Sequence, residues 1–182
     1  DSPRPHRLIV TGIYEFPFGR GRKYLSSGIL SYIVGGWQTA LTYEYQPGPF
    51  LSWGNYFYNG DINTLPQDLT KGAKTLERWF NTDIPIEKSA SRNPAAYHVR
   101  VFPLDITSVR GDAISVWNGN LRRAFQLMEQ VKLELRVDAL NLQNRSQMSS
   151  PSTNPTATNF GQITSQTSSV NRFYQIQARI QF

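Results

Sequence analysis

The sequence has no cysteine and only two histidines in its 182 residues. The first absence excludes a disulfide framework, a thiolate metal site and a thiol nucleophile, and leaves the redox compartment open. His6 and His98 do not stand at metal-ligand spacing, so neither a metal nor a cofactor is expected. Long apolar runs are missing too. Mean hydropathy is -0.44, and no stretch approaches the ~18 residues that a spanning helix needs. That excludes a helical membrane protein but not a membrane barrel, whose strands are only half apolar. Charged residues are scarce at 18%, whereas Phe, Trp and Tyr make up 13%; a disordered chain shows the opposite balance. The chain is expected to fold, as one domain or as a piece of a larger one. Asp1-Ser2-Pro3-Arg4-Pro5 shows no apolar targeting segment, so the expectation is a chain that begins mature or mid-protein. No nucleophile-elbow or phosphate-loop pattern occurs, and Asp105 and Asp112, which flank Arg110-Gly111, read as solvated loop carboxylates. No catalytic residue is assigned and no enzyme is expected.

What the sequence does have is alternation. At the C-terminus Tyr174, Ile176, Ala178, Ile180 and Phe182 interleave with Gln175, Gln177, Arg179 and Gln181, a period of two that places the sets on opposite faces of a strand. The same period runs through residues 8–16, 37–46, 117–125 and 131–141. In the last of these Val131, Leu133, Leu135, Val137 and Ala139 alternate with Lys132, Glu134, Arg136 and Asp138. Arg123 is the one misfit on the apolar side of its segment. Strands of about 9 to 11 residues cross a tilted bilayer, whereas strands of ordinary globular domains cluster near about 5 to 6.

The connections are unequal. Residues 126–130 form a tight turn, 17–36 a moderate one, and approximately 47–115 and 142–170 are long loops rich in Asn, Pro, Ser, Thr and Gly. Strand parity puts both long loops at the same end, the asymmetry of outer-membrane barrels. The expected fold class is therefore all-β: long antiparallel meander strands, part of a transmembrane outer-membrane β-barrel with long extracellular loops. Five strands cannot close a barrel that needs about eight, so shorter segments such as 50–58 and 97–102 extend the sheet, or the chain is the C-terminal part of a larger wall. A short helix is expected near residues 24–34.

The residues resemble a family. Arg4-Pro5-His6-Arg7-Leu8 leads into Tyr14-Glu15-Phe16-Pro17-Phe18-Gly19-Arg20-Gly21, followed by Gly35-Gly36-Trp37-Gln38, Gln46-Pro47-Gly48-Pro49 and Arg78-Trp79-Phe80-Asn81. Arg136-Val137-Asp138-Ala139-Leu140-Asn141-Leu142-Gln143-Asn144, Asn159-Phe160-Gly161-Gln162-Ile163 and the terminal Phe182 complete the series. In order and spacing this resembles the C-terminal barrel portion of TonB-dependent outer-membrane receptors, of the type with an N-terminal carboxypeptidase-regulatory-like domain. The resemblance spans nearly all of residues 1–182. It implies uptake of a small nutrient such as a siderophore or glycan fragment, outer-membrane lipid as surroundings, and energy from TonB through a plug domain that these residues lack. It also implies that Tyr174, Ile176, Ile180 and Phe182 form the terminal signal read by the barrel-assembly machinery.

Two surfaces are candidates for ligand contact. Lys132, Glu134, Arg136 and Asp138 would face an aqueous lumen in a barrel, or solvent in a soluble sheet. The loop aromatics Trp53, Tyr56, Trp79 and Phe80 could stack on flat ligands or pack the loop on itself. The net charge of +6 gives no nucleic-acid patch, because residues 61–112 carry seven acidic and seven basic side chains and the excess falls on strands and turns. Gly19-Arg20-Gly21-Arg22 reads as a polar turn. Two alternatives stay open: a soluble β-sandwich binding module that uses the loop aromatics, and a passive porin or adhesin.

Overall fold

The computed structural model describes residues 4–95, 97–168 and 171–182. In chain order the elements are β1 (Leu8–Glu15), α1 (Ile29–Val34), β2 (Gln38–Gln46), β3 (Phe50–Ser52), α2 (Leu65–Leu69), a 3-10 turn at Ala90–Arg92, β4 (Asp105–Arg110), β5 (Ile114–Gln126), β6 (Lys132–Leu140), β7 (Gln147–Met148), β8 (Gln166–Ser168) and β9 (Phe173–Gln181). The residues separate into two compact units. One comprises Leu8–Tyr45, Ser115–Arg145 and Val170–Phe182; the other comprises Asp1–Arg7, Gln46–Ile114 and Ser146–Ser169.

The first unit is a five-stranded sheet in the order β1-β2-β5-β6-β9, so strand neighbours in space are neighbours along the wall-forming sequence. Its strands lie where the alternation put them, to within about three residues at each end. β1 and β2 pair antiparallel with Leu8 opposite Tyr45 and Tyr14 opposite Thr39. β5 and β6 pair with Leu121 opposite Val137 and Phe125 opposite Leu133, and β6 and β9 with Val137 opposite Ile176 and Leu133 opposite Ile180. Register follows from the period of two: a slip of one residue would turn every apolar side chain to the other face. A tight turn fixes the β5–β6 pair, with Leu127 N donating to Val131 O at 2.9 Å and Val131 N to Met128 O at 3.2 Å. Among the described residues the sheet is open, with β1 and β9 as its edges.

The β1–β2 connection turns on two glycines. Gly19 N donates to Tyr24 O at 3.0 Å and Gly35 N to Ser31 O at 3.2 Å. A Cβ on Gly35 would clash with Gly19 Cα, and would stand 2.5 Å from Ser31 O and 3.0 Å from Phe18 O. Gly35→Ala is therefore expected to cost about 1 to 3 kcal/mol, as overpacking does, with the loss confined to this turn. Hydrogen exchange should speed up over residues 18–36 and stay unchanged in β6 and β9.

The second unit is built from the residues expected to be long loops. They do not extend the sheet. Segment 50–58 forms a strand only at β3, which pairs with β4 through Leu51–Ile106 and Ser52–Asp105, with an isolated bridge from Tyr58 to Ile86, and 97–102 is not a strand. The reason is a competing acceptor: Asn55 Oδ1 takes the N–H groups of Val101 at 2.9 Å and Phe102 at 3.2 Å, donors that a strand would have given to a neighbouring carbonyl. β7 and β8 form a further two-stranded piece. The core of this unit is Leu51, Trp53, Leu65, Leu69, Phe80, Ile84, Ile86, Phe102, Ile106 and Val109. Helix α2 contributes Leu65 and Leu69, four residues apart and both 1% exposed, as the helical period requires.

Candidate functional site

The two faces of the five-stranded sheet differ sharply. On one face, Val10 and Gly12 in β1, Leu41 and Tyr43 in β2, Trp117, Gly119 and Leu121 in β5, and Leu133, Leu135, Val137 and Ala139 in β6 continue to Tyr174, Ile176, Ala178 and Ile180 in β9, with Arg123 opposite Leu135 as the exception. Aromatic rings gather at its ends. Tyr43 and Trp117 stack at 4.7 Å at the end where the long connections leave, and Phe125 lies with Tyr32 at 6.3 Å at the turn end. Trp117 and Phe125 are eight residues apart on one strand, about 27 Å at ~3.4 Å per residue. That is close to the ~25 Å band between the aromatic girdles of a membrane barrel.

The opposite face is polar across three strands. Lys132, Glu134, Arg136 and Asp138 of β6 stand opposite Gln181, Arg179, Gln177 and Gln175 of β9 and Gln126, Ala124, Arg122 and Asn120 of β5. Arg136 Nη2 reaches Asp138 Oδ1 at 2.7 Å and its Nε donates to the same oxygen at 2.9 Å. Arg122 Nε donates to Gln38 Oε1 at 2.7 Å. The candidate ladder is thus one continuous surface of carboxamides and mixed charge, able to exchange hydrogen bonds with water or a polar solute. A cavity of about 320 Å³ opens at its turn end, lined by Glu15, Arg22, Gln38, Arg122 and Glu134 among others.

Arg123, the misfit of the apolar face, is 7% exposed. Its guanidinium donates to the carbonyls of Tyr32 and Ile33 at the end of α1 and lies over the Phe125 ring, 3.9 Å from its centroid. A cation at a helix C-terminus meets the negative end of the backbone dipole. Arg123 therefore attaches the turn helix to the sheet, a role the alternation alone does not show.

The terminal residues Tyr174, Ile176 and Ile180 share the apolar face of the edge strand, opposite Ala139, Val137 and Leu133, and Phe182 beyond them is fully exposed.

The loop aromatics are placed differently from a capture surface. Trp53 and Phe80 are 2% and 3% exposed and face each other at 5.2 Å in the second unit's core. Tyr56 and Trp79 are partly buried against that core. Trp79 Nε1 donates to Arg110 O at 2.7 Å, and Lys74 Nζ lies 5.2 Å from its ring centre. Burial pushes the Tyr56 phenol up, opposed by the positive charge of Arg100. Of the two readings open for these rings, Trp53 and Phe80 take the one in which the loop packs on itself: a unit without cysteine depends on its apolar side chains, and the largest ones go inside.

One polar residue was not singled out from the sequence. Asn141, 3% exposed with φ 50, ends β6. It accepts from Arg145 N at 3.0 Å and donates to Arg145 O at 3.0 Å through its side chain, while Asn118 Oδ1 accepts its backbone N–H at 3.0 Å. The signal was present: Asn is the residue type that tolerates this conformation best after Gly.

Comparison with known proteins agrees with the geometry of the two faces. No curated protein and no solved structure matches the chain, but the family described as outer membrane beta barrel domain matches residues 1–177. The chain belongs to the outer membrane beta barrel domain family, and its place is the bacterial outer membrane.

Proposed function

We propose that this chain forms the C-terminal wall and two long loops of a TonB-dependent receptor that takes up a scarce nutrient, such as a siderophore or glycan fragment. One structural observation carries the reading beyond a plain barrel. The connections between β2 and β5 and between β6 and β9 leave the sheet at one end and condense into a unit with its own buried core. A passive pore needs no such investment in its loops, whereas a receptor needs a shaped extracellular surface. The ordered run of motifs from Arg4 to Phe182 supports the same family.

In this reading the apolar face meets lipid and the polar face, with Lys132, Glu134, Arg136 and Asp138, lines the aqueous lumen, since backbone and side-chain polar groups have no partner in hydrocarbon. Short turns lie on the periplasmic side and the long loops outside. The edge strand ending in Tyr174, Ile176, Ile180 and Phe182 is the segment handed to the barrel-assembly machinery. The chain performs no catalysis; coupling to TonB runs through a plug domain outside these residues.

The test is uptake by cells carrying the complete protein, with candidate siderophores and oligosaccharides supplied at limiting concentration. Accumulation should collapse when TonB is removed or the proton gradient is dissipated, while surface binding persists. Accumulation that continues unchanged would identify a passive porin instead.

A further inference from the structure

We propose that the β1–β2 turn is a membrane-surface anchor, in which α1 lies in the interfacial layer of the periplasmic leaflet and Arg20 and Arg22 hold the phosphate of an anionic phospholipid. The inference rests on membership of the outer-membrane barrel family and not on the uptake reading.

Helix α1 has only six residues, too few to be stable alone in water. It exposes three large aliphatic side chains, Ile29 at 81%, Leu30 at 62% and Ile33 at 55%. Four contacts hold it to the sheet. Arg123 donates to its last carbonyls, Trp37 Nε1 donates to Ile33 O at 3.2 Å, Tyr32 Oη donates to Gln126 O at 3.1 Å, and the Tyr32 ring packs on Phe125. Arg123 and Phe125 belong to the apolar face of β5, so the exposed aliphatics of α1 continue the surface that meets lipid. Tyr32 and Trp37 sit where amphipathic rings collect at a membrane boundary.

The adjoining residues are basic. Arg20, Arg22 and Lys23 precede the helix, and a cavity of about 300 Å³ beside it is lined by Phe18, Arg20, Arg22, Ser31, Tyr32 and Arg123 among others. Arg22 pairs with Glu15 at 2.7 Å and lines both this cavity and the one at the turn end of the polar face, so it stands at the boundary between the two faces. Guanidinium groups are suited to phosphate because their N–H donors match its oxygens in pairs. An apolar helix face with cations at its edge is the pattern of interfacial anchors, and basic recesses beside spanning segments are where acidic headgroups bind. A water-exposed turn would have no use for three uncovered aliphatics on one helical turn and a half.

The test uses the complete protein in nanodiscs of phosphatidylethanolamine and phosphatidylglycerol. A nitroxide attached at Leu30→Cys should collide more readily with oxygen than with a water-soluble nickel chelate, and the order should reverse for a label at Gln175→Cys on the polar face. Native mass spectrometry of protein released from the discs should show phosphatidylglycerol retained over phosphatidylethanolamine. Replacing Arg20 and Arg22 with serine should weaken that preference about fivefold per arginine. A Leu30 label as accessible to nickel as the Gln175 label would overturn the anchor. Unchanged lipid preference in the double variant would overturn the headgroup site, and loss of the preference on adding inorganic phosphate would assign the arginines to free phosphate.

Discussion

Replacing Phe102 with alanine should unfold the unit built from the long loops and leave the five-stranded sheet paired. Phe102 is 2% exposed and among the largest fully buried side chains. Its ring lies 5.9 Å from those of Trp53 and Tyr56 and 6.5 Å from that of Tyr58, and its backbone N–H is held by Asn55. Truncating a buried Phe costs about 3 to 5 kcal/mol, against a total stability of about 5 to 15 kcal/mol for a typical domain. This unit has little else to draw on. Among the described residues its regular structure amounts to two short strand pairs, one helix of five residues and a 3-10 turn, and the chain has no cysteine to cross-link it. Limited proteolysis of the complete protein in detergent should show new cleavage between residues 47 and 115. The shift in electrophoretic mobility on boiling, which reports a closed barrel, should remain. Unaltered protease resistance in Phe102→Ala would mean that the aromatic cluster does not hold these loops.

The sheet was legible in the sequence and the loop unit was not, for a physical reason. A barrel strand lies between two different media, so each residue's polarity states which way it faces, and residues 131–141 spell out both faces of β6. Strand length adds the membrane, and connection length adds the orientation. The second unit has no such constraint. Beyond local steps such as Leu65 and Leu69 in α2, its core residues, among them Leu51, Phe80, Phe102 and Val109, come from separate segments with no sustained period, because irregular backbone brings them together. Side chains such as Asn55 and Asn93 set that backbone: Asn93 Nδ2 donates to Glu87 O at 2.9 Å and to Ser89 O at 3.1 Å, and its Oδ1 accepts from Phe57 N at 3.1 Å. Partners so distant in sequence cannot be read from local pattern.

Smaller features were written in the sequence but easy to pass over. Asp61 and Thr64 precede Leu65-Pro66, with Asp68 in the first turn, and α2 starts there with proline at its beginning. This is the expected chemistry of a helix start. Short helices give too few periods for the pattern to stand out, and α2 lies inside a stretch whose composition reads as loop. Arg123 is the opposite case. The alternation marked it as an exception, and the cause lies about 90 residues earlier in the carbonyls of Tyr32 and Ile33, a contact only the folded sheet creates.

That exception sets the terms of the second large effect. Val137→Arg should lower the stability of the complete barrel in lipid vesicles by about 2 to 4 kcal/mol, the cost of a lipid-facing arginine near the bilayer midplane. Val137 sits between Leu121 on β5 and Ile176 on β9, midway between the two aromatic groups. Arg123 is the natural comparison. It stands on the same face, but near the turn, where its donors reach the end of α1 and Phe125 lies beneath it. Gln175→Arg supplies the control, since Gln175 points to the polar face opposite Asp138. A cation there is expected to change stability by no more than about 0.5 kcal/mol. The measurement is the denaturant midpoint of unfolding in vesicles for both variants. A large loss for Val137→Arg alone follows if one face meets hydrocarbon and the other water, whereas equal losses would mean that both faces are packed against protein. Arg123 is thus the reference case of an arginine on the apolar face whose acceptors the chain itself supplies.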